Sequence, residues 1–232
     1  EGRYFQGEYY FLLVTAFLGM VLMPSARDLL TLFVALETVS IPAFVMVGLR
    51  KRDLYSSEAS RKFFLIGVLS VAIMLMGMSF VYGFTGTTSL TGIAEAIAAT
   101  QTPDAETPLL LAAVLLVIVG FGFKISAVPF HFWAPDTYAG APMPVTAMLA
   151  VASKAAGFVG LTLVAFVAFG PLALAWAPVL GIVAVATMTV GNLGALQQRD
   201  IVRLLAFSSV AQAGYILLPF GVARHSTDAL ST

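Results

Sequence analysis

Four ionisable side chains stand in apolar surroundings along this chain: Glu37, Lys62, Lys124 and Lys154. Lys124 lies in the run from Leu109 to Val128, which ends in Pro129-Phe130-His131-Phe132-Trp133-Ala134-Pro135-Asp136. A lysine inside a membrane span costs roughly 2.5 to 3.5 kcal/mol on insertion scales, so its presence asks for a function. Removal from water disfavours an ammonium and a nearby carboxylate favours it. A lysine poised between these two influences can load a proton and release it again. Glu37 is the candidate carboxylate: if it withdraws from Lys124 the proton can pass inward, and if it returns the lysine recharges.

The other candidates extend this chemistry. Lys154 follows in the next apolar run and is the natural second station. His131, two residues past Pro129, has an ordinary pKa of about 6.5 and suits a relay between the lysines; it can equally donate to a carbonyl freed by the proline. Lys62 follows Glu58 at the i, i+4 spacing of a helical ion pair. For Lys62, snorkelling to the interface competes with proton transfer. Asp136 reads as a helix cap, and Ser40, Ser126, Ser153 and Thr146 can order water. A buried ion pair that only fixes helix packing would account for Glu37 and one lysine, leaving the other unexplained.

The elements that must position these groups follow from composition. Of 232 residues, 59% are hydrophobic and 10% charged, and mean hydropathy is +0.95. These values predict an all-α polytopic membrane protein. Twelve basic and twelve acidic residues give a formal net charge of zero, which offers no footprint for nucleic acid. With no cysteine and two histidines, the chain has no thiolate for iron–sulfur ligation and too few imidazoles for a histidine metal cluster. Redox chemistry therefore falls to other chains. The opening at Glu1 reads as an internal piece of a longer protein.

About seven transmembrane helices are expected: Tyr9 to Met23, Asp28 to Leu49, Arg61 to Phe84, a fourth after Pro108, Val145 to Phe169, Pro178 to Leu196, and Ile201 to Val222. Pro129 should break the fourth one turn beyond Lys124. The stretch from Trp133 to Pro144 reads as a rigid turn. Arg50, Lys51, Arg52, Arg61, Lys62, Arg199 and Arg203 thread to one side, expected to be cytoplasmic. The stretch from Thr85 to Thr107, with Glu95, Asp104 and Glu106, falls on the other side, and residues around Ile93 and Ile97 can form a short amphipathic helix there. Arg27-Asp28 and Arg199-Asp200 each open a span, with Leu32 and Leu204 at one offset and Glu37 and Ser40 opposite Ser209 and Gln212. Such an echo between spans of opposite direction predicts one repeat over residues 9–169 and the start of an inverted second repeat over 178–232, within a single transmembrane domain.

The run Phe123-Lys124-Ile125-Ser126-Ala127-Val128-Pro129-Phe130-His131-Phe132-Trp133-Ala134-Pro135-Asp136-Thr137-Tyr138-Ala139-Gly140-Ala141-Pro142, followed by Ala152-Ser153-Lys154, closely resembles the subunit N family of respiratory complex I, with mitochondrial NADH dehydrogenase subunit 2. Ala35-Leu36-Glu37, the run from Glu58 to Leu65, and Arg203 to Ser209 match as well. The resemblance implies an antiporter-like, proton-translocating membrane subunit of an NADH:quinone oxidoreductase in the bacterial inner membrane. It also implies a fragment lacking both ends of that subunit, including a later broken helix. Glu37 would be the mobile carboxylate, Lys124 the proton-loading lysine, Lys154 the next station and His131 part of the relay between them. No cofactor is implied in this chain; NADH, FMN, iron–sulfur clusters and quinone would be handled by partner subunits, and the partners would be other membrane subunits and lipid. Two other functions compete. A multisubunit cation/proton antiporter would use the same lysines, but sodium needs a cage of oxygen ligands and Glu37 is the one membrane carboxylate. A passive scaffold would use buried charge only to specify packing.

Overall fold

The computed structural model of the chain describes residues 6–50, 52–99 and 107–223. Lys51 of the basic loop, Asp104 and Glu106 of the acidic stretch, and His225 lie outside the described residues. Helices α1 (Gln6–Leu22) and α2 (Leu29–Val47) form a hairpin through the 3₁₀ turn Met23–Ser25. There follow α3 (Leu54–Thr85), the short α4 (Leu90–Ala99) and α5 (Thr107–Lys124). After a non-helical stretch come α6 (Trp133–Gly140), α7 (Met143–Met148) and α8 (Lys154–Thr162). The π-helical segments Leu149–Ser153 and Leu163–Ala168 join and extend α7 and α8 into one continuous rod. A 3₁₀ turn leads to α9 (Ala173–Leu196), and α10 (Ile201–Gly221) packs back along it.

Among the described residues, six helical stretches are long and apolar enough to cross a membrane, and Pro108–Lys124 is a shorter apolar helix. Those six and the broken seventh are the expected architecture. Large apolar side chains such as Phe11 and Ile182, each 71% exposed, point away from the bundle. That surface suits hydrocarbon better than water.

Local chemistry explains where the elements begin. Asp28, Asp53 and Asp200 each cap a helix, their carboxylates accepting from the amides of Thr31, Tyr55 and Arg203. The Asp53 cap starts α3 at Leu54, seven residues before the Arg61 expected from hydropathy. Sequence reading also placed the sixth span from Pro178, but α9 starts at Ala173 and carries Pro178 inside it. Trp133 to Gly140, expected as a turn, is helix α6. Pro135 sits in its first turn, where a missing amide costs no intrahelical bond.

At one end, Lys62 of α3, Asp136 of α6 and Arg203 of α10 form an ion network. At the opposite end, the amide of Leu29 donates to Thr88 at 2.9 Å and that of Leu90 to Arg27 at 3.0 Å. α4 lies there with Leu90, Ile93 and Ile97 buried and Glu95 exposed, the expected amphipathic pattern.

Candidate functional site

The broken helix is built from the chain's own capping needs. α5 ends at Lys124, five residues before Pro129, so the break begins at the lysine itself and not a turn beyond it. Val128 precedes a proline and is thereby pushed out of helical geometry. Ser126 completes the stop with φ 60, a left-handed value uncommon outside glycine. Backbone groups released in a membrane interior must find protein partners. The amide of Val128 donates to Thr187 Oγ1 of α9 at 3.0 Å, and Trp133 Nε1 donates to the Phe123 carbonyl at 3.1 Å. Aromatic rings brace the same place: Phe63 stacks on Trp133 at 4.5 Å and on Phe123 at 5.8 Å. Thr187→Val should therefore strand a part-buried amide at a cost of about 1 kcal/mol. Hydrogen exchange across residues 125–132 should accelerate in that variant; unchanged protection would mean the bond contributes nothing.

Lys124, at the start of the break, is 2% exposed, and its Nζ donates to Ser40 Oγ of α2 at 3.1 Å. The Ser40 hydroxyl in turn donates to the Leu36 carbonyl at 2.8 Å. Glu37, about one turn before Ser40 on α2, is close enough to Lys124 to interact electrostatically, yet no ion pair within 4.0 Å joins them. Its Oε1 is buried without a hydrogen-bond partner, beside a groove between α2 and α3 lined by Ile41, Phe44, Ser60 and Phe64.

Lys154 is 5% exposed and opens α8 immediately after a π-helical segment. Its Nζ donates to Ser209 Oγ of α10 at 2.7 Å and to the Ser209 carbonyl at 3.1 Å, and lies 5.8 Å from the centre of the Tyr138 ring. The two lysine-bearing helices meet closely at Gly157, where a Cβ would stand 2.9 Å from Lys124 Cγ and 3.1 Å from Ile125 Cγ2. His131 is 6% exposed within the break, interacts with the Pro129 carbonyl, and keeps Nδ1 without a partner. The Ser126 hydroxyl beside Lys124 and the Tyr138 hydroxyl near Lys154 are likewise buried and unpartnered.

Lys62 stands apart from this interior pair. It pairs with Glu58 at 2.7 Å, the expected i, i+4 contact, and with Asp136 at 2.8 Å, and its side chain is 46% exposed. Asp136 is not a helix cap: α6 has no side-chain cap at its start, and the carboxylate bridges Lys62 and Arg203 instead. Sequence reading singles out both lysines, Glu37 and His131, which the structure places in the interior, but it does not give Ser209 as the partner of Lys154, nor Thr187 and Gly157. A threonine and a glycine inside otherwise apolar runs were the available signals.

Two buried lysines, a proline-broken span and a part-buried carboxylate thus lie within one bundle. The family model described as NADH:quinone oxidoreductase/Mrp antiporter, TM, matches residues 26–231. The chain belongs to that family. A relative from Streptomyces griseus, NADH-quinone oxidoreductase subunit N 2, is 52% identical over 227 residues, covering 96% of this chain and 42% of the relative. Among solved structures, a chain of respiratory complex I from Thermus thermophilus with bound aureothin aligns with a TM-score of 0.79 and 39% identity, over 96% of this chain and 46% of that one. A chain of the Mrp complex from Dietzia sp. DQ12-45-1b aligns with a TM-score of 0.80 and 26% identity, over 91% of this chain and 39% of that one. The chain spans less than half the length of these relatives. As an antiporter-like member of the family with six membrane-length helices, it is a multi-pass protein of the bacterial inner membrane.

Proposed function

We propose that this chain translocates protons as part of a subunit N of an NADH:quinone oxidoreductase, driven by electron transfer in partner subunits. The carrying observation is that two buried lysines, Lys124 and Lys154, are held by hydroxyl and carbonyl oxygens and by no carboxylate within ion-pair distance. A structural ion pair would bring the charges into contact to offset their desolvation. A lysine held by a hydroxyl keeps its partner whether charged or neutral, because a hydroxyl both accepts and donates. That is the property a proton carrier needs.

In this reading Glu37 controls the charge of Lys124 through their separation, and its unpartnered Oε1 leaves it free to change position. The proton then passes through the break, where Ser126 and His131 supply unpartnered buried polar atoms, to Lys154. Lys62 stands outside this path, in the ion network at the exposed end. A chain without cysteine offers no thiolate to ligate an iron–sulfur cluster, which assigns the clusters to partner subunits, and the resemblance to subunit N assigns the flavin to them as well. The resemblance to subunit N assigns the NADH and quinone sites to partner subunits too, and the multi-subunit membrane complexes among the structural neighbours support partners that include other membrane subunits. The matching caps of Asp28 and Asp200 support a repeat over 9–169 and the start of an inverted one over 178–232. The fold is shared with an antiporter complex, but the identity is 39% to the complex I chain and 26% to the Mrp chain, which favours the oxidoreductase.

The test is NADH-driven proton uptake by inside-out vesicles carrying the whole complex with Lys154→Ala, with NADH oxidation recorded alongside. Uptake per complex is expected to fall about tenfold or more, a lower bound set below the roughly 10²–10⁴-fold that a positioned proton-transfer group contributes. An assembled variant that pumps like the native complex would remove Lys154 from the path.

A further inference from the structure

We propose that Asp136 is the positioning residue of the Lys154 site, clamping α6 to α10 so that Tyr138 and Ser209 keep their places around the lysine. The inference rests on the proton-carrying role of Lys154 proposed above. Helix α6 has eight residues, too few to hold its shape or place alone. Its position comes from its neighbours. On one side Gly140 lies against α3, where an added Cβ would stand 2.6 Å from Ala59 Cβ and 2.8 Å from the Tyr55 carbonyl oxygen. On the other, Asp136 Oδ1 accepts from Arg203 Nη2 of α10, while Oδ2 accepts from Lys62 Nζ of α3 at 2.8 Å. Both carboxylate oxygens are thus engaged by cations from two different helices. The Asp136 side chain is 27% exposed, against 46% for Lys62 and 45% for Arg203, so the carboxylate is the inner member of the network.

The elements this carboxylate ties together are the ones that surround Lys154. Tyr138 follows Asp136 by two residues on α6, and its ring faces the Lys154 ammonium at 5.8 Å. Ser209 follows Arg203 by six residues on α10, roughly 9 Å along the helix, and supplies both hydrogen-bond acceptors to Lys154. The Tyr138 carbonyl in turn accepts from Thr146 Oγ1 of α7 at 3.1 Å, which links α6 to the rod that carries Lys154. Release of the Asp136–Arg203 contact leaves α6 and α10 free to separate at the site. Ion pairs this exposed contribute little to overall stability, so the network's effect falls on geometry more than on assembly. A small displacement of a reacting group can lower a rate by about a hundredfold.

The test uses the full complex in inside-out vesicles, with complex content, NADH oxidation and proton uptake measured for Asp136→Ala, Asp136→Glu, Lys154→Ala and the Asp136→Ala/Lys154→Ala double variant. Asp136→Ala is expected to lower uptake about tenfold at unchanged complex content, Asp136→Glu to retain most of it, and the double variant to pump no worse than Lys154→Ala alone. Native uptake in Asp136→Ala, or losses that multiply in the double variant, would overturn the clamp. If Asp136→Ala fails to assemble, exchanging the charges as Asp136→Arg with Arg203→Asp should pump better than Arg203→Asp alone, and no gain would overturn it. Loss of pumping in Lys154→Ala with normal pumping in Asp136→Ala sinks the clamp only. Normal pumping in Lys154→Ala sinks the proposed path, and the clamp with it.

Discussion

Lys124→Ala is expected to leave the complex assembled and to cut NADH-driven proton uptake by about tenfold or more. Assembly should survive because the losses and gains are of similar size. Truncating a long buried side chain opens a cavity, typically costing about 2–5 kcal/mol. Removing an ammonium from the interior relieves a desolvation penalty of several kcal/mol. The partner left behind is also not stranded, since Ser40 still donates to the Leu36 carbonyl at 2.8 Å. Function has no such substitute. Among the described residues, Lys124 is the ionisable group that the proposed path places between Glu37 on α2 and the break, and alanine can neither hold nor deliver a proton. Proton uptake by inside-out vesicles, normalised to complex content, reads the effect.

Gly157→Val should impair pumping without touching any ionisable group. A Cβ at this position already stands 2.9 Å from Lys124 Cγ and 3.3 Å from Lys124 Cβ, closer than real Cβ contacts normally come. Valine adds two methyl groups beyond that, toward the stem of Lys124 and Ile125 Cγ2 at 3.1 Å. Either α8 moves off the break or the lysine leaves Ser40. Overpacking of this kind costs about 1–3 kcal/mol, and a displacement of about 1 Å can cost a hundredfold in rate. Gly157→Ala should show a smaller loss, because the first atom it meets belongs to a flexible stem. A lower thermal midpoint together with reduced proton uptake is the expected pair of results. Native values of both in Gly157→Val would mean the two helices are not in contact in the working complex.

The parts of this molecule legible in sequence are those set by solvent. A charge inside an apolar run cannot be mistaken for a surface residue, which is why Lys124, Lys154 and Glu37 stood out. A proline in such a run marks a break for the same local reason. What could not be read depends on contacts between distant segments. Ser40 is 84 positions from Lys124 and Ser209 is 55 from Lys154, and neither pairing leaves a periodic trace. The π-helical segment before Lys154 was hidden because hydrophobic periodicity assumes a uniform helical turn. Asp136 looked like a cap because it stands near a helix start, and only the convergence of α3 and α10 on α6 reveals it as a bridge. The sequence offers His131 either a relay or a local contact; the structure gives it the Pro129 carbonyl as neighbour and an Nδ1 without a partner, a local contact that leaves the relay to be tested.

The most direct measurement is proton uptake by inside-out vesicles carrying the complex with Lys124→Arg, at matched complex content. Arginine keeps the positive charge and the length needed to reach Ser40, but it does not release its proton in a protein. If Lys124 works by loading and releasing a proton, the Arg variant should assemble and fail to pump, as the Ala variant does. If the buried charge serves only to fix helix packing, the Arg variant should pump like the native complex. That result would contradict the account.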